Sequence, residues 1–278
     1  MPQKRPIPNH DPETSFVADM APPTRTPPTD VRRALRLEVA FGCPVPGCGN
    51  PYLMWHHFDP PWSQRQHHDV AGMIALCAEH HAKADAGAFT KEQLREFKTA
   101  GASRSAPITG RFDWMRRDVL AVVGGSFFYE TPIIIRHKGQ PLIWFNRDAS
   151  QMMLLNLRML SGSGQPRLRL DDNFWLDLGQ PTDFECPPNG RLIHGYYPNG
   201  DELRVEYFDV DSLAAVRNRW KHARTERWDV KLPITAIEVW FKVGGTEISF
   251  GPTHAVGPGY NIVQIGFASH CNVGIDLT

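Results

Sequence analysis

Three of the five cysteines and six of the twelve histidines fall within residues 43–81 of this 278-residue chain. Cys43-x4-Cys48 places two thiolates on one knuckle, and Cys77-x2-His80 places two more donors at the mouth of a helix. Two short-spaced pairs of soft or borderline ligands, about 30 residues apart, suit a tetrahedral zinc that staples a loop onto a small core. Four protein ligands leave such an ion no open position, so this zinc is expected to be structural. His56 and His57 end an apolar run (Tyr52, Leu53, Met54, Trp55) that reads as a short strand. Adjacent strand residues point to opposite faces, although a strand end or bulge brings both to one site. His81 follows the proposed ligand His80, and one helical residue is a rotation of roughly 100°. His80 can therefore face zinc while His81 faces a neighbouring cleft. Asp85, four residues on, shares the His81 face. It is expected either to accept the second ring N–H of His81 and fix its tautomer, or to be a plain exposed carboxylate.

Phosphodiester hydrolysis needs an in-line water, a base and a charge to offset the leaving 3′-oxygen. A neutral His57 can take the proton at neutral pH. A divalent cation on His56 and His81 is the Lewis acid such a reaction uses. Mg²⁺ prefers oxygen ligands, so a two-imidazole site should suit Mn²⁺, Ni²⁺ or Co²⁺ at least as well.

The stretches Trp55-His56-His57, Met73-Ile74-Ala75-Leu76-Cys77 and Cys77-Ala78-Glu79-His80-His81 together resemble the HNH endonuclease family. Its zinc-knuckle subgroup, with cysteine pairs flanking the ββα-metal motif, is the nearest kind. The resemblance covers about a fifth of the chain and says nothing of residues 111–278. It implies that His56 is the first ligand of the catalytic cation (Mg²⁺ or Mn²⁺, with Ni²⁺ as an option), where many relatives carry Asp. It implies that His57 is the general base and His81 the second ligand. Cys43, Cys48, Cys77 and His80 match the zinc knuckle, with His80 in place of the more usual cysteine. Products with 5′-phosphate and 3′-hydroxyl ends are implied too. One departure is plain: the family's middle Asn falls at or near Gly72, and no Asn occurs between residues 51 and 145. His67, His68 or Asp69 can substitute for it, with His68 and Asp85 as possible second-shell residues; His67 and His68 can equally be solvated loop histidines.

The elements that must carry this cluster follow from periodicity and punctuation. Residues 1–29 hold eight prolines and few apolar side chains, and are expected to be disordered or loosely draped. Asp30 is expected to cap a helix over residues 31–40, apolar at Val31, Ala34, Leu35 and Val39. Its Arg32, Arg33 and Arg36 suit either phosphates or solvent. Thr90-x-x-Gln93 is a capping box opening a helix through Leu94 and Phe97, with Lys91, Arg95 and Lys98 outward. The expected organisation is a nuclease domain over 30–100, a linker over 101–110 and a β-rich accessory domain over 111–278. In the last, Asn-Gly pairs at 189–190 and 199–200 signal turns, and alternating runs such as 202–208 and 234–243 read as strands. Helical interruptions are predicted over 149–160 and over 211–225, the latter capped by Asp211 and amphipathic through Val216 and Trp220. The Gly-Gly pairs 124–125 and 244–245 lack phosphate-loop followers and read as turns. His137, His194, His222, His254 and His270 show no metal-ligand spacing. The fold class expected is α+β: a small ββα-metal module with structural zinc, then a mainly-β, sandwich-like domain.

Lys plus Arg and Asp plus Glu cancel at 30 each, which disfavours a protein that coats DNA through counterion release alone. The clustered cysteines read as a metal site rather than a disulfide framework, leaving Cys186 and Cys271 isolated. No apolar run reaches membrane-spanning length and no apolar signal core opens the chain, so a cytoplasmic location with no membrane partner is expected. DNA is the expected partner, with RNA, a homodimer or a partner protein bound through 111–278 also open. A nuclease fused to an unrelated domain is a bacterial-defence arrangement by analogy only. The competing readings are a zinc-stabilised nucleic-acid-binding or assembly module that no longer cuts, and a nuclease toxin.

Overall fold

The computed structural model describes residues 24–257, 259–263 and 266–277. The expected disorder over residues 1–23 lies outside them. The first helix, α1 (Thr29–Leu37), starts after Pro28 without a side-chain cap. Asp30 therefore sits inside the first turn, where it complements the helix dipole rather than capping it. Helix α1 ends before Val39, yet Leu35 and Val39 are both buried. Next come β1 (Leu53–His57) and β2 (Met73–Cys77), then α2 (Ala78–Asp85) and α3 (Lys91–Ala102). The two strands form an antiparallel pair with Leu53 opposite Cys77 and His57 opposite Met73. Every side chain of β2 is buried, with β1 beside it and α1 and α2 packed against it. The predicted box at α3 forms in full: Thr90 Oγ1 accepts from the Gln93 amide at 3.2 Å, and Gln93 Oε1 accepts from the Thr90 amide at 2.9 Å. These elements share a small core that includes Leu35, Leu53, Phe58, Met73, Ile74, Leu76 and Leu94.

The rest of the chain is mostly β. Its elements run β3 (Thr109–Arg111), β4 (Val119–Val123), β5 (Ser126–Tyr129), β6 (Ile133–His137), β7 (Gln140–Arg147), β8 (Met153–Leu160), β9 (Pro166–Asp171), β10 (Phe174–Asp177), β11 (Asp183–Glu185), β12 (Leu192–Tyr196) and β13 (Glu202–Val210). They continue as α4 (Leu213–Arg219), β14 (Ile234–Lys242), β15 (Ser249–Phe250), β16 (Ala255–Gly257), β17 (Tyr260–Val263), β18 (Phe267–Ser269) and β19 (Val273–Leu277). One sheet has the order β19-β6-β7-β8-β9-β10-β3. The other runs β11 to β17 in chain order, with β4 parallel to β14 and β5 linking β4 to β18. A single apolar core draws on both sheets, with Ile135, Leu157 and Leu170 from the first and Ile193, Val205 and Val239 from the second. A further cluster, with Leu120, Phe127, Val216 and Trp220, fills the space under α4. The fold is mixed α+β, mostly β, with four α-helices among the described residues.

Two helical expectations are corrected. Residues 149–160 are not helical: Asp148 turns the chain by accepting the Ser150 and Met152 amides, and Met153–Leu160 is strand β8. Met153, Leu155, Leu157 and Met159 all point into the core, which is a period of two. Pairing to β7 and β9 overrides the helix propensity of a Leu/Met-rich run. The second interruption is shorter than 211–225, covering only Leu213–Arg219, and Ser212 Oγ rather than Asp211 caps it. The Asn-Gly and Gly-Gly pairs do sit in turns. Gly125 has a positive φ, and a Cβ there would lie 2.0 Å from the Thr253 carbonyl oxygen.

The α1 arginines reach toward β11. Arg36 is buried and makes a paired contact with Asp183 at 2.9 and 2.7 Å. Arg33 and Arg32 approach Asp183 and Glu185 at 3.8 and 3.9 Å. With Leu53 N–H donating to the Cys186 carbonyl at 3.3 Å, these contacts tie the cysteine-rich segment to β11. A buried Arg–carboxylate pair of this kind is costly to break from one side.

Asp177 at the end of β10 gives a pH test of the β-rich core. Burial pushes its carboxyl up to about 6, although the Tyr197 hydroxyl, the Gly179 and Gln180 amides and the Arg167 charge act against that. A folded-state pKa above the unfolded one means stability is full below the ordinary carboxylate value and is lost as pH rises through the folded pKa. A shift of this size corresponds to about 3 kcal/mol. Asp177→Asn should therefore raise the melting temperature by several degrees at pH 8 and change it little at pH 4, as read by thermal unfolding at the two pH values. An equal change at both would show that ionisation is not the cause.

Candidate metal centres and catalytic cleft

The knuckle is built by backbone before any side chain acts. Cys43 N–H donates to the Asn50 carbonyl at 2.8 Å, and Gly49 N–H returns to the Cys43 carbonyl at 3.1 Å. Gly47 and Gly49 both have positive φ, which lets Cys43 and Cys48 curl toward one point. Cys77 is the residue before α2, so Cys77 and His80 lie one turn apart on the same side. The four donor atoms all lie within 4.8 Å of one another. Cys43 Sγ and Cys77 Sγ are 3.4 and 3.3 Å from His80 Nδ1, and Cys48 Sγ is 3.8 Å from Cys77 Sγ. A tetrahedral zinc with about 2.3 Å bonds to sulfur has sulfur–sulfur edges of about 3.8 Å, so the set could hold a metal such as zinc. Burial pushes the Cys43 thiol up to about 12 and raises that of Cys77. Without a cation the Cys43 and Cys77 thiols stay protonated, and metal binding must release those protons.

On the other side of α2 a second set converges. His56 and His81 rings meet edge to face with centroids 5.3 Å apart. Asp85 reaches both, with Oδ1 3.2 Å from His56 Nδ1 and Oδ2 3.2 Å from His81 Nδ1. His56 Nδ1 is buried, and the Asp85 carboxylate is the group it faces. The other nitrogen of His81, Nε2, lies 3.3 Å from the Trp55 carbonyl. A carbonyl can only accept, so this contact calls for a proton on Nε2, while Asp85 Oδ2 faces Nδ1 as the shared helix face led one to expect. Asp85 also completes a three-donor group with His56 and His81. Burial, together with His81, lowers the pKa of His56, against the pull of Asp85, so its lone pair is free at neutral pH.

His57 closes β1 and turns to a different set of neighbours. Its ring packs on Trp62 (4.7 Å between centroids), His67 (5.3 Å) and His68 (5.9 Å). His68 in turn stacks on Trp62. Burial pushes the His57 imidazole down to about 4; the charges of His67, His68 and Arg25 act the same way and the His67 backbone acts against them. Both ring nitrogens are buried without a hydrogen-bond partner. The strand end nevertheless brings His56 and His57 to one place, a cleft of about 350 Å³ lined also by Arg25, Trp62, Asp85 and Lys91.

No side chain fits where Asn was expected. A Cβ on Gly72 would lie 2.0 Å from the Asp59 carbonyl oxygen and 2.9 Å from the His67 ring. The backbone and His67 hold the loop instead. The Gly72 carbonyl accepts from the Phe58 and Asp59 amides at 3.0 and 3.1 Å. His67 Nε2 donates to the Pro60 carbonyl at 2.9 Å while its Nδ1 accepts from the Asp69 amide. His67 is therefore a built part of the loop. Of the α3 cations expected to point outward, Lys91 and Arg95 do so and pair with Asp59, whereas Lys98 is turned in, half-buried between Glu38 and the Val70 carbonyl.

Among the described residues the histidines of the β-rich region form no metal-type group. His194 pairs with Glu202 at 2.8 Å, and His222 donates to the Gly125 carbonyl at 2.9 Å. Reasoning from residue types missed Trp62 and Arg25. Neither has a spacing signal; Arg25 sits in a Pro-rich stretch without periodicity, and Trp62 follows two prolines in a loop. No helix among the described residues is long and apolar enough to cross a membrane. No protein-family model, curated protein or solved structure matches this chain.

Proposed function

We propose that the chain is a divalent-cation-dependent endonuclease of the HNH type acting on DNA, with residues 111–278 serving target recognition, activation or assembly. The observation that carries this reading is an unpartnered, neutral His57 on one cleft with His56 and Asp85, which form a three-donor group with His81. A scaffold needs no such pairing.

In this reading β1, β2 and α2 form the ββα-metal unit, and Cys43, Cys48, Cys77 and His80 hold a structural zinc. His56, His81 and Asp85 hold the catalytic cation. Two imidazoles and one carboxylate make a mixed set that suits Mn²⁺ or Ni²⁺ and admits Mg²⁺ through its oxygen. When bound, the cation supplies Lewis-acid stabilisation to the phosphate and the leaving oxygen. The neutral His57 accepts the proton of the attacking water. Trp62 and His68 wall the His57 ring in and keep bulk water from it. The Gly72 carbonyl and His67 take the loop-holding task of the absent Asn. The open mouth of the cleft leaves room for a phosphate between base and cation site.

The test is cleavage of supercoiled plasmid by the purified full-length chain with no added cation, with Mg²⁺ and with Mn²⁺. Nicked or linear product that requires the cation is the expected result. A zinc-loaded protein that leaves the plasmid intact under all three conditions would sink the nuclease reading and favour a binding or assembly module.

A further inference from the structure

The cleft has two cations on its wall, and they differ in what they are doing. Lys91 is tied to Asp59 at 2.7 Å. Arg25 is exposed and makes no hydrogen bond or ion pair among the described residues. It nevertheless lines the same cleft as His56, His57, Trp62 and Asp85. Its charge is close enough to oppose protonation of both imidazoles. Arg25 is also not on a loose end. Pro27, two residues on, is buried, and α1 follows at once. Helix α1 is anchored by the buried Arg36–Asp183 pair to β11. The sheet region thus anchors the helix that directly follows this stretch.

An uncommitted guanidinium at the mouth of a cleft with a base and a three-donor cation site is a receptor for an oxyanion. Its planar fork matches two phosphate oxygens at once, which an ammonium cannot do. We propose that Arg25 binds the non-bridging oxygens of the nucleic-acid phosphate that enters this cleft, holding it between His57 and the His56/His81/Asp85 group. This rests on the nuclease reading, and it places a residue of the N-terminal stretch in the substrate-binding machinery.

The test uses the full-length, zinc-loaded protein as wild type, Arg25→Ala and Arg25→Lys, with matching thermal unfolding as the check on folding. Two readouts are taken: Mn²⁺-dependent plasmid cleavage, and binding of a short fluorescein-labelled DNA duplex as salt is raised without added divalent cation. Arg25→Ala should lower kcat/KM by about 10²-fold and reduce the slope of log affinity against log salt by about one. Arg25→Lys should restore the slope but only part of the rate, because lysine lacks the paired contact. If Arg25→Ala cleaves within about twofold of wild type and keeps the same slope, the proposal is overturned. If wild type does not cleave, the nuclease reading falls, and the slope alone decides Arg25. A reduced slope in Arg25→Ala then upholds the phosphate contact; an unchanged slope, or no binding by wild type, overturns it.

Discussion

Alanine at position 57 should lower cation-dependent plasmid cleavage by about 10²–10⁴-fold, the usual contribution of a positioned general base. The size follows from the surroundings of this ring. His57 is 4 % exposed, neutral at neutral pH, and has neither nitrogen committed to a neighbour. Its ring neighbours are Trp62, His67 and His68, and His67 is held by the Pro60 carbonyl and the Asp69 amide. His56→Ala should be of similar severity by a different route, and the two separate on cation dependence. Loss of the His56 donor raises the Mn²⁺ concentration needed for half-maximal rate, because only His81 and Asp85 remain. Loss of the His57 base lowers the rate at saturating Mn²⁺ without moving that concentration. Initial rates across a Mn²⁺ titration make the distinction. Should His57→Ala keep wild-type rates at saturating Mn²⁺, His57 is not the base.

Cys77→Ser should abolish stoichiometric zinc and loosen residues 43–98 while leaving the two large sheets folded. Zinc sites of this donor type are worth about 10–16 kcal/mol to the small units they hold. The core that would have to stand alone is modest: its largest side chains include Leu35, Phe58, Met73, Ile74 and Leu76. A cluster of this size is near the limit at which apolar burial alone holds a unit together. The sheet core is far larger and meets the small one mainly through Phe41 and Tyr52, so it should survive. Zinc content by elemental analysis gives the first readout. Amide exchange gives the second, with protection falling in β1, β2 and α2 and persisting in β8, β13 and β14. Full zinc binding by Cys77→Ser, or unchanged protection in β2, would show that the four residues are not a metal staple. Cleavage should be lost as well, since α2 carries His81 and Asp85 on the face opposite His80.

The donors of both clusters were legible in the chain because their chemistry depends on types and short spacing. Cys43-x4-Cys48 and Cys77-x2-His80 could each close on one ion only through a tight knuckle and a single helical turn. The roughly 100° step from His80 to His81 by itself turns the two histidines to different sites. Alternation announced β13 and β14, and Asn-Gly and Thr-x-x-Gln placed turns and the start of α3, since such signals are local. Other features depend on partners distant in the chain. Residues 149–160 read as helix until β7 and β9 flank them, because pairing energy outweighs propensity. Asp85 read as a carboxylate on the His81 face, but only the approach of β1 to α2 sets His56 against it as well. Gly72 read as a missing Asn; the packed loop shows there is no space for one and that His67 fills it. Arg25 carried no signal at all, since only the folded cleft puts it beside His56, His57 and Asp85. Residue identity and near spacing thus determined which atoms can bind metal or move a proton. The tertiary structure decided which of them share a cleft, because that depends on how strands and helices far apart in sequence bury their apolar faces together.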